Sequence, residues 1–516
     1  EGELLSDGDR SILERLGCHR PRRLGDAVDW IEDQAGTLLL QLIGSDRSDR
    51  QGVGSALAEC FQKSLDAETL PGPLQFIKAD LWPRLRDSAD QEHLGVLAAA
   101  AGRRIASGPS GAPTRGRDDV LPTGRNFYSV DLRGLPTEAA WDLGRRSAEQ
   151  LLELYELEEG EPLRHLALSV WGTATMRNGG EEIAQMFALL GVRPVWDGPT
   201  RRMVDLELIP LTLLERPRVD VTLRMSGLFR DAFPQLIAWV DQALRMVARL
   251  NETDSDNPLA ALTRRGGAQA RLFGSAPGSY GAGLQALIDS GQWDQRDDLA
   301  EAYLAWSSWR YDANTTAQSD RTGLEQALRD VQVVLHNQDN REHDLLDSDD
   351  YYQFHGGLAA AVKTVSGRDP KLLFADHSRR ERVRIHHLGR EIDKVVRSRL
   401  LNPRWIDGMK QHGYKGAFEM GASLDYLFAY DASTGIVPDW CYSRIAERWL
   451  LTEDVRDFLL ERNPWVMRDM AERCLEAANR GLWQEADQAL LDAIKRVLLD
   501  SEHAVEHGGY NSGFNG

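Results

Sequence analysis

Apolar positions along the chain recur at one of two periods, and the change of period divides it. Over residues 1–101 the spacing is helical: 9–16 and 52–65 read as amphipathic helices, and the apolar run at 37–43 suits strand or helix equally. From residue 136 strand-like runs alternate with helical ones. A helix is predicted over 136–157 with Thr137 as a cap, then a strand at 165–171. An Asn178-Gly179-Gly180 turn opens a helix over 181–190. Strands follow at 192–195, 204–209 and 218–224, and Ser226-Gly227 turns into one long helix from near Phe229 past Leu250. Trp293, Tyr303, Trp306, Trp309 and Tyr311 at helical spacing read as core. From about 383 the pattern is helical, broken at 402–419, where Pro403 starts a helix and Gly413 and Gly416 end it just beyond His412. The class predicted is α/β with a large, mostly helical C-terminal region, multi-domain, with helices covering a mixed sheet. The divisions read as 1–101, mainly helical; 102–260, α/β with a glycine-rich loop; 261–382, loop-rich α/β; 383–507, helical; and 508–516, a disordered tail.

Composition narrows the classes. At 516 residues the chain exceeds one core. A net charge of −19 argues against nucleic-acid or anionic-membrane binding, since either wants a basic surface. The best apolar run, 94–101, is too short to span a membrane, and no basic leader precedes an apolar segment at the N-terminus. Cys18, Cys60, Cys441 and Cys474 are scattered, which fits a reducing cytoplasm and excludes a cysteine-rich zinc site. The chain begins with Glu1, which suggests part of something longer.

The segment 337–357, NQDNREHDLLDSDDYYQFHGG, carries the candidate chemistry. It holds Asp339, Glu342, Asp344, Asp347, Asp349 and Asp350 with His343 and His355. As a helix it would line Asp339, His343, Asp347, Tyr351 and His355 along one face, suited to a divalent cation or a departing proton. A solvated acidic helix is the equal alternative; an EF-hand is excluded by the missing turn glycine. In the Gly- and Pro-rich stretch 108–131, Arg115, Arg117 and Arg125 are candidates to hold carboxylates or phosphates, a loop wrapped over a neighbouring domain being the alternative; no P-loop is present. Ligands of such sheets sit beyond the strands' carboxyl ends, here 172–182 and 224–231, making Arg224, Arg230 and Asp231 candidates. An Arg–Asp pair capping the following helix is equally open there. Glycines in 271–285 would let backbone approach a flat ligand, or simply make turns. His412 at its helix break, facing Glu419, reads as an acid–base or ligand pair, against the commoner structural histidine.

Taken together, GPSGAPTRGRDDVLPTGRNFYSVD, VWGTATMRNGGEEIAQMFALLGVRPVWD, RPRVDVTLRMSGLFRDAFP, NQDNREHDLLDSDDYYQF and NPRWIDGMKQHGYKGAFE resemble the large subunit of aerobic cobaltochelatase, a family that also includes the large subunit of magnesium chelatase. The likeness runs from about 102 to 483. It implies ATP-dependent insertion of Co2+ into hydrogenobyrinic acid a,c-diamide, a corrin precursor, in cobalamin biosynthesis. ATP and Mg2+ would sit on partner AAA+ motor subunits, consistent with the absence of a Walker A motif here, and the protein would be cytoplasmic. The run NREHDLLDSDD favours the cobalt branch; a magnesium or nickel chelatase subunit and a non-catalytic tetrapyrrole-binding or docking protein are the alternatives. The resemblance implies metal delivery or proton acceptance by Glu342, His343 and Asp347, with His412 and Glu419 as a second pair. Metal ligands would come from His343, Asp347 and His355. Arg115, Arg125, Arg224 and Arg230 would anchor substrate, and Glu181 and Gln185 would face the site. An H-x-G-x-H-G-x-L-E-W-x-P-G-K segment of the family is not in this sequence, which implies the C-terminal part of a longer subunit, inactive by itself.

Overall fold

The computed structural model describes residues 5–18, short runs and single positions between 21 and 41, 76–106, 108, 118–125 and 131–507, apart from 268, 315, 316 and 381. Two compact units divide the chain, Glu1–Val130 and Asp131–Gly516. In the first, the helix expected at 9–16 is present as Asp7–Arg15, with the Ser6 hydroxyl accepting from the Asp9 amide. The helix read at 52–65 and most of the run at 37–43 lie outside the described residues. A helix over Trp82–Ala100 carries segment 118–125 along its side: the Thr123 amide donates to the Ser88 hydroxyl at 3.1 Å, and Arg84 donates to the Asp118 carbonyl at 2.8 Å.

The second unit is built on one eight-stranded sheet. In chain order its strands are β1 His165–Val170, β4 Asp220–Met225, β5 Leu272–Gly274, β6 Trp309–Arg310, β7 Gln318–Ser319, β8 Val333–Gln338, β9 Lys371–Asp376 and β10 Arg384–His387; β2 Val192–Trp196 and β3 Met203–Leu208 form a separate antiparallel hairpin. The order is β10-β9-β8-β1-β4-β5-β6-β7, with β9, β8, β1, β4 and β5 parallel and the edges antiparallel. The chain leaves β1 toward β4 on one side and returns to β8 on the other, so the strand order reverses at β1. The boundaries expected at 260 and 382 fall between strands of this one sheet.

Every residue of β4 and β8 is buried, as expected for parallel strands covered on both faces. Adjacent residues of β8 show the two covers. The His336 ring lies 5.5 Å from that of His355, and Asn337, pointing the other way, donates to Gln185 on the helix Glu181–Leu190. Of the aromatic stripe read as core, Trp293, Tyr303 and Tyr311 are buried, Trp309 is half-buried, and Trp306 is 44% exposed. Beyond β10 the chain is helical to His507, with Tyr430, Tyr442, Trp449 and Trp483 at its centre.

Local signals placed most elements within a residue or two. Thr137 caps the helix Glu138–Glu159 by accepting from the Ala140 amide, and Asn402 caps Pro403–Gln411. Two helical readings are corrected. Pro234 lacks the amide that would continue a helix, so the long helix expected from Phe229 is two, Gly227–Ala232 and Pro234–Ala248. Gly413, at φ +57° and ψ −128°, ends the helix after His412, but Gly416 lies inside the next helix, Tyr414–Thr434. Gly416 is required by packing: a Cβ there would fall 1.8 Å from the Met409 carbonyl oxygen. Gly416→Ala should therefore cost about 2–3 kcal/mol, read as a lowered melting temperature. An unchanged melting temperature would mean that the two helices do not need this close approach.

Candidate active site

Side chains from five segments converge beyond the carboxyl ends of β1, β8 and β9. After β1 a short helix, Gly172–Asn178, ends in the Asn178-Gly179-Gly180 turn, with Gly179 and Gly180 at φ +80° and +89°. The Asn178 carboxamide oxygen accepts from the amides of Gly180 (2.9 Å) and Glu181 (3.2 Å), which starts the next helix with two carboxylates in its first turn. Both are buried. Glu181 meets Nδ1 of His377, the residue after β9, at 3.1 Å; His377 Nε2 meets the Ser147 hydroxyl at 2.8 Å. Gln185 donates to that hydroxyl at 2.9 Å, and Asn337 donates to Gln185 at 2.6 Å.

One assignment of protons serves every link of the chain, with the Asn337 carboxamide oxygen left without a partner at its end. Asn337 donates to Gln185, Gln185 to Ser147, Ser147 to His377, and His377 from Nδ1 to Glu181. Beside it Glu182 accepts from the Asn178 carboxamide at 3.2 Å. Burial, with Asp339 and Glu181 close by, raises its carboxyl from about 4.5 to about 7. Asp339, the residue after β8, is held by both arms of Arg177 at 2.8 and 2.6 Å. The arrangement can therefore take up and release a proton near neutrality at the strands' carboxyl edge.

The stretch 337–357 is not the one-faced helix expected. Asn337 and Gln338 end β8, 339–348 form a loop, and helix begins only at Asp349. The loop bends because its own carboxylates cap it: Asp347 accepts from the Asp344 amide at 2.7 Å and Asp344 from the Leu346 amide at 2.9 Å. Arg399 donates to Asp347 and Asp344, both at 2.7 Å, so Asp347 is a fixed member of an ion pair. Glu342 and His343 stand exposed on the loop. His355 is buried, pushed down to about 3 by burial and by neighbouring His336, and its Nε2 faces the Val334 carbonyl at 3.4 Å. Buried His355 and exposed His343 share no site with Asp347. Among the described residues no group of three or more His, Cys, Asp and Glu is placed to hold a metal ion.

His412 is exposed at its helix end, and Glu419 pairs with Lys415 instead, because the helix resumes at Tyr414 and carries Glu419 beside Lys415 one turn back. Arg224 and Arg230 are buried, and their donors are taken. Arg224 donates to Ser307 and to the Met225 and Gly281 carbonyls; Arg230 donates to Asp231 and to the carbonyls of Ser275, Ala276 and Ser279. They therefore hold the glycine-rich loop at 275–284 and present no free fork to a ligand. Arg125 is exposed in the first unit; Arg115 and Arg117 lie outside the described residues. Glu182, His377 and Ser147 escaped the reading of the sequence. The only available signal was position, since His377 directly follows the buried strand β9 and Glu182 sits in the first turn after a double-glycine turn.

This is the architecture of an α/β protein, and the candidate site lies where the strand order reverses. The profile of the CobN/Magnesium Chelatase family matches residues 6–490, and the chain belongs to that family. It is 52% identical to the aerobic cobaltochelatase subunit CobN of Pseudomonas aeruginosa over 97% of this chain and 40% of the relative, and 50% identical to that of a Sinorhizobium species over 92% and 37%. A magnesium-chelatase subunit of Chlorobaculum parvum is 32% identical over 78% of this chain and 32% of the relative. The solved catalytic subunit of cobaltochelatase from Mycobacterium tuberculosis superposes with a TM-score of 0.83 at 43% identity, over 96% of this chain and 42% of that one. The chain thus spans about 40% of the length of these cobaltochelatase relatives. Among the described residues no helix is long and apolar enough to cross a membrane.

Glu182 makes a pH-dependent contribution of known sign. Between about 4.5 and about 7 the folded carboxyl keeps a proton that the unfolded one has lost, so this group's contribution to stability falls as pH rises through that window. Glu182→Gln should be more stable than the wild type at pH 8 by on the order of 1–3 kcal/mol, and about equal at pH 4.5. Melting curves across this range test it; identical pH slopes in the two proteins would exclude the assignment.

Proposed function

We propose that this chain supplies the tetrapyrrole-holding, metal-inserting part of a cobaltochelatase large subunit, acting in ATP-dependent insertion of Co2+ into hydrogenobyrinic acid a,c-diamide during cobalamin biosynthesis. The observation that carries the reading is 52% identity to a cobaltochelatase subunit across 97% of the chain, against 32% to a magnesium-chelatase subunit. ATP would be hydrolysed on partner AAA+ subunits in the cytoplasm.

Insertion of a divalent metal into the corrin ring forms metal–nitrogen bonds and releases the ring N–H proton, so it needs a route for the cation and an acceptor for the proton. Exposed Glu342 and His343 are free to escort a hydrated cation, with His412 at its helix end as a further donor. Glu182, buried beside Asp339 and Glu181, is suited to accept a proton near neutral pH, and the chain from Glu181 through His377 and Ser147 to Gln185 and Asn337 holds that carboxyl edge in one geometry. Asp347, His355 and Glu419 serve the fold around the site.

The reading is tested with the full-length subunit, the corrin precursor, Co2+, ATP and the motor subunits. His343→Ala should reduce metal insertion at least tenfold while shifting the melting temperature little, because an exposed side chain contributes little to stability. Turnover unchanged by His343→Ala would remove it from metal delivery. Turnover by this chain without motor subunits would overturn the division of labour.

A further inference from the structure

Arg224 lies in β4, one residue from its carboxyl end, and is 2% exposed. Its guanidinium donates to the Ser307 hydroxyl at 2.8 Å, to the Gly281 carbonyl at 2.9 Å and to the Met225 carbonyl, and it lies 4.7 Å from the centre of the Phe354 ring. All these partners are neutral. Among the described residues no carboxylate pairs with it, and the charged neighbour that acts on it, Arg230, is a second cation. The other arginines buried to a similar degree each have a counter-ion: Arg218 has Glu252, Arg271 has Asp220 and Arg230 has Asp231. A buried charge without a counter-ion is costly, so Arg224 stands out as a cation waiting for an anion.

The loop it supports has the matching deficit. Its carbonyls turn inward: Arg230 takes those of Ser275, Ala276 and Ser279, and Arg224 that of Gly281. Its amides have no such partners, since the N–H groups of Tyr280, Gly281, Ala282 and Gly283 donate to no described residue. Gly281 and Gly283, both half-buried, have φ +86° and +88° while buried Ala282 between them does not, and left-handed residues alternating with others are the backbone pattern from which anion-binding concavities are made. Tyr280 fixes the rim: its hydroxyl donates to Asp231 at 2.7 Å.

We propose that the accessible amides of Tyr280, Gly281 and Gly283, with the Arg224 guanidinium behind them, bind a peripheral carboxylate of the tetrapyrrole, whose charge supplies the missing counter-ion. This rests on the proposed function and deepens it. Arginine acts here through the loop it builds, and the main chain touches the ligand.

The test is an absorbance titration of the full-length subunit with hydrogenobyrinic acid a,c-diamide and with its methyl ester, in which every free carboxylate is masked. Wild type should bind the acid at least about tenfold tighter than the ester, the size of one charge-assisted recognition. Arg224→Met should remove most of that preference while leaving ester affinity within about twofold, which also shows that the variant is folded. Gly281→Ala gives an independent arm. A Cβ there meets only the Gln353 side chain at 3.8 Å, so it disturbs the left-handed φ without a clash and should likewise weaken the acid selectively. Equal binding of acid and ester by the wild type would overturn the carboxylate site while leaving ring binding in place. Loss of both ligands to the same degree in both variants would also overturn it, and failure of the wild type to bind either would overturn the tetrapyrrole reading itself.

Discussion

The second unit depends on a requirement to satisfy polar groups where water is excluded. Ser147, Glu181, Gln185, Asn337 and His377 are all buried at the carboxyl edge of the sheet, and an unpaired polar group there costs more than a made hydrogen bond contributes. Each finds its partner on a different element. Ser147 comes from the helix Glu138–Glu159, Glu181 and Gln185 from the helix Glu181–Leu190, Asn337 from β8 and His377 from the end of β9. The chain fixes the spacing of two helices and two strands at once. A carboxyl of tuned proton affinity such as Glu182 needs surroundings this rigid, because its value is set by burial and by carboxylates that cannot move away.

Buried arginine is used in two ways. Arg218 and Arg271 close ion pairs inside the fold, bracing the start of β4 and the approach to β5. Arg224 and Arg230 sit at the other end of the same strands and spend their donors on loop carbonyls. The two cations thus fix the course of the loop from its inner side. The glycines of that loop provide the left-handed backbone this course demands.

The relatives share this frame unequally. Magnesium-chelatase subunits keep about 30% identity over about four-fifths of the chain, whereas the cobaltochelatase subunits compared keep 43–52% over more than nine-tenths of it. The loop 339–348 carries its own caps, Asp344 and Asp347, locked to Arg399 from the helical region. This pins two exposed groups, Glu342 and His343, at the strand end where the chemistry is proposed.

Residue order alone determined the elements and most of their ends, because the signals are local. Thr137, Asn178 and Asn402 cap amides two or three residues on, Gly179 and Gly180 permit a left-handed turn, and Pro403 suits a first helical turn. The α/β class and the helical C-terminal region followed from period. Tertiary structure decided which polar residues meet. Glu181 and His377 are 196 positions apart and Ser147 and His377 are 230, and no spacing rule reaches that far. It also decided that 337–357 would turn: a helix would have left Asp344 and Asp347 without Arg399, and His355 without its place in the core. Arg224 and Arg230 could be chosen from the sequence because they end a strand and open a helix. What they hold was settled only by the fold, because a guanidinium binds whichever oxygens packing brings within reach, and here those belong to the loop.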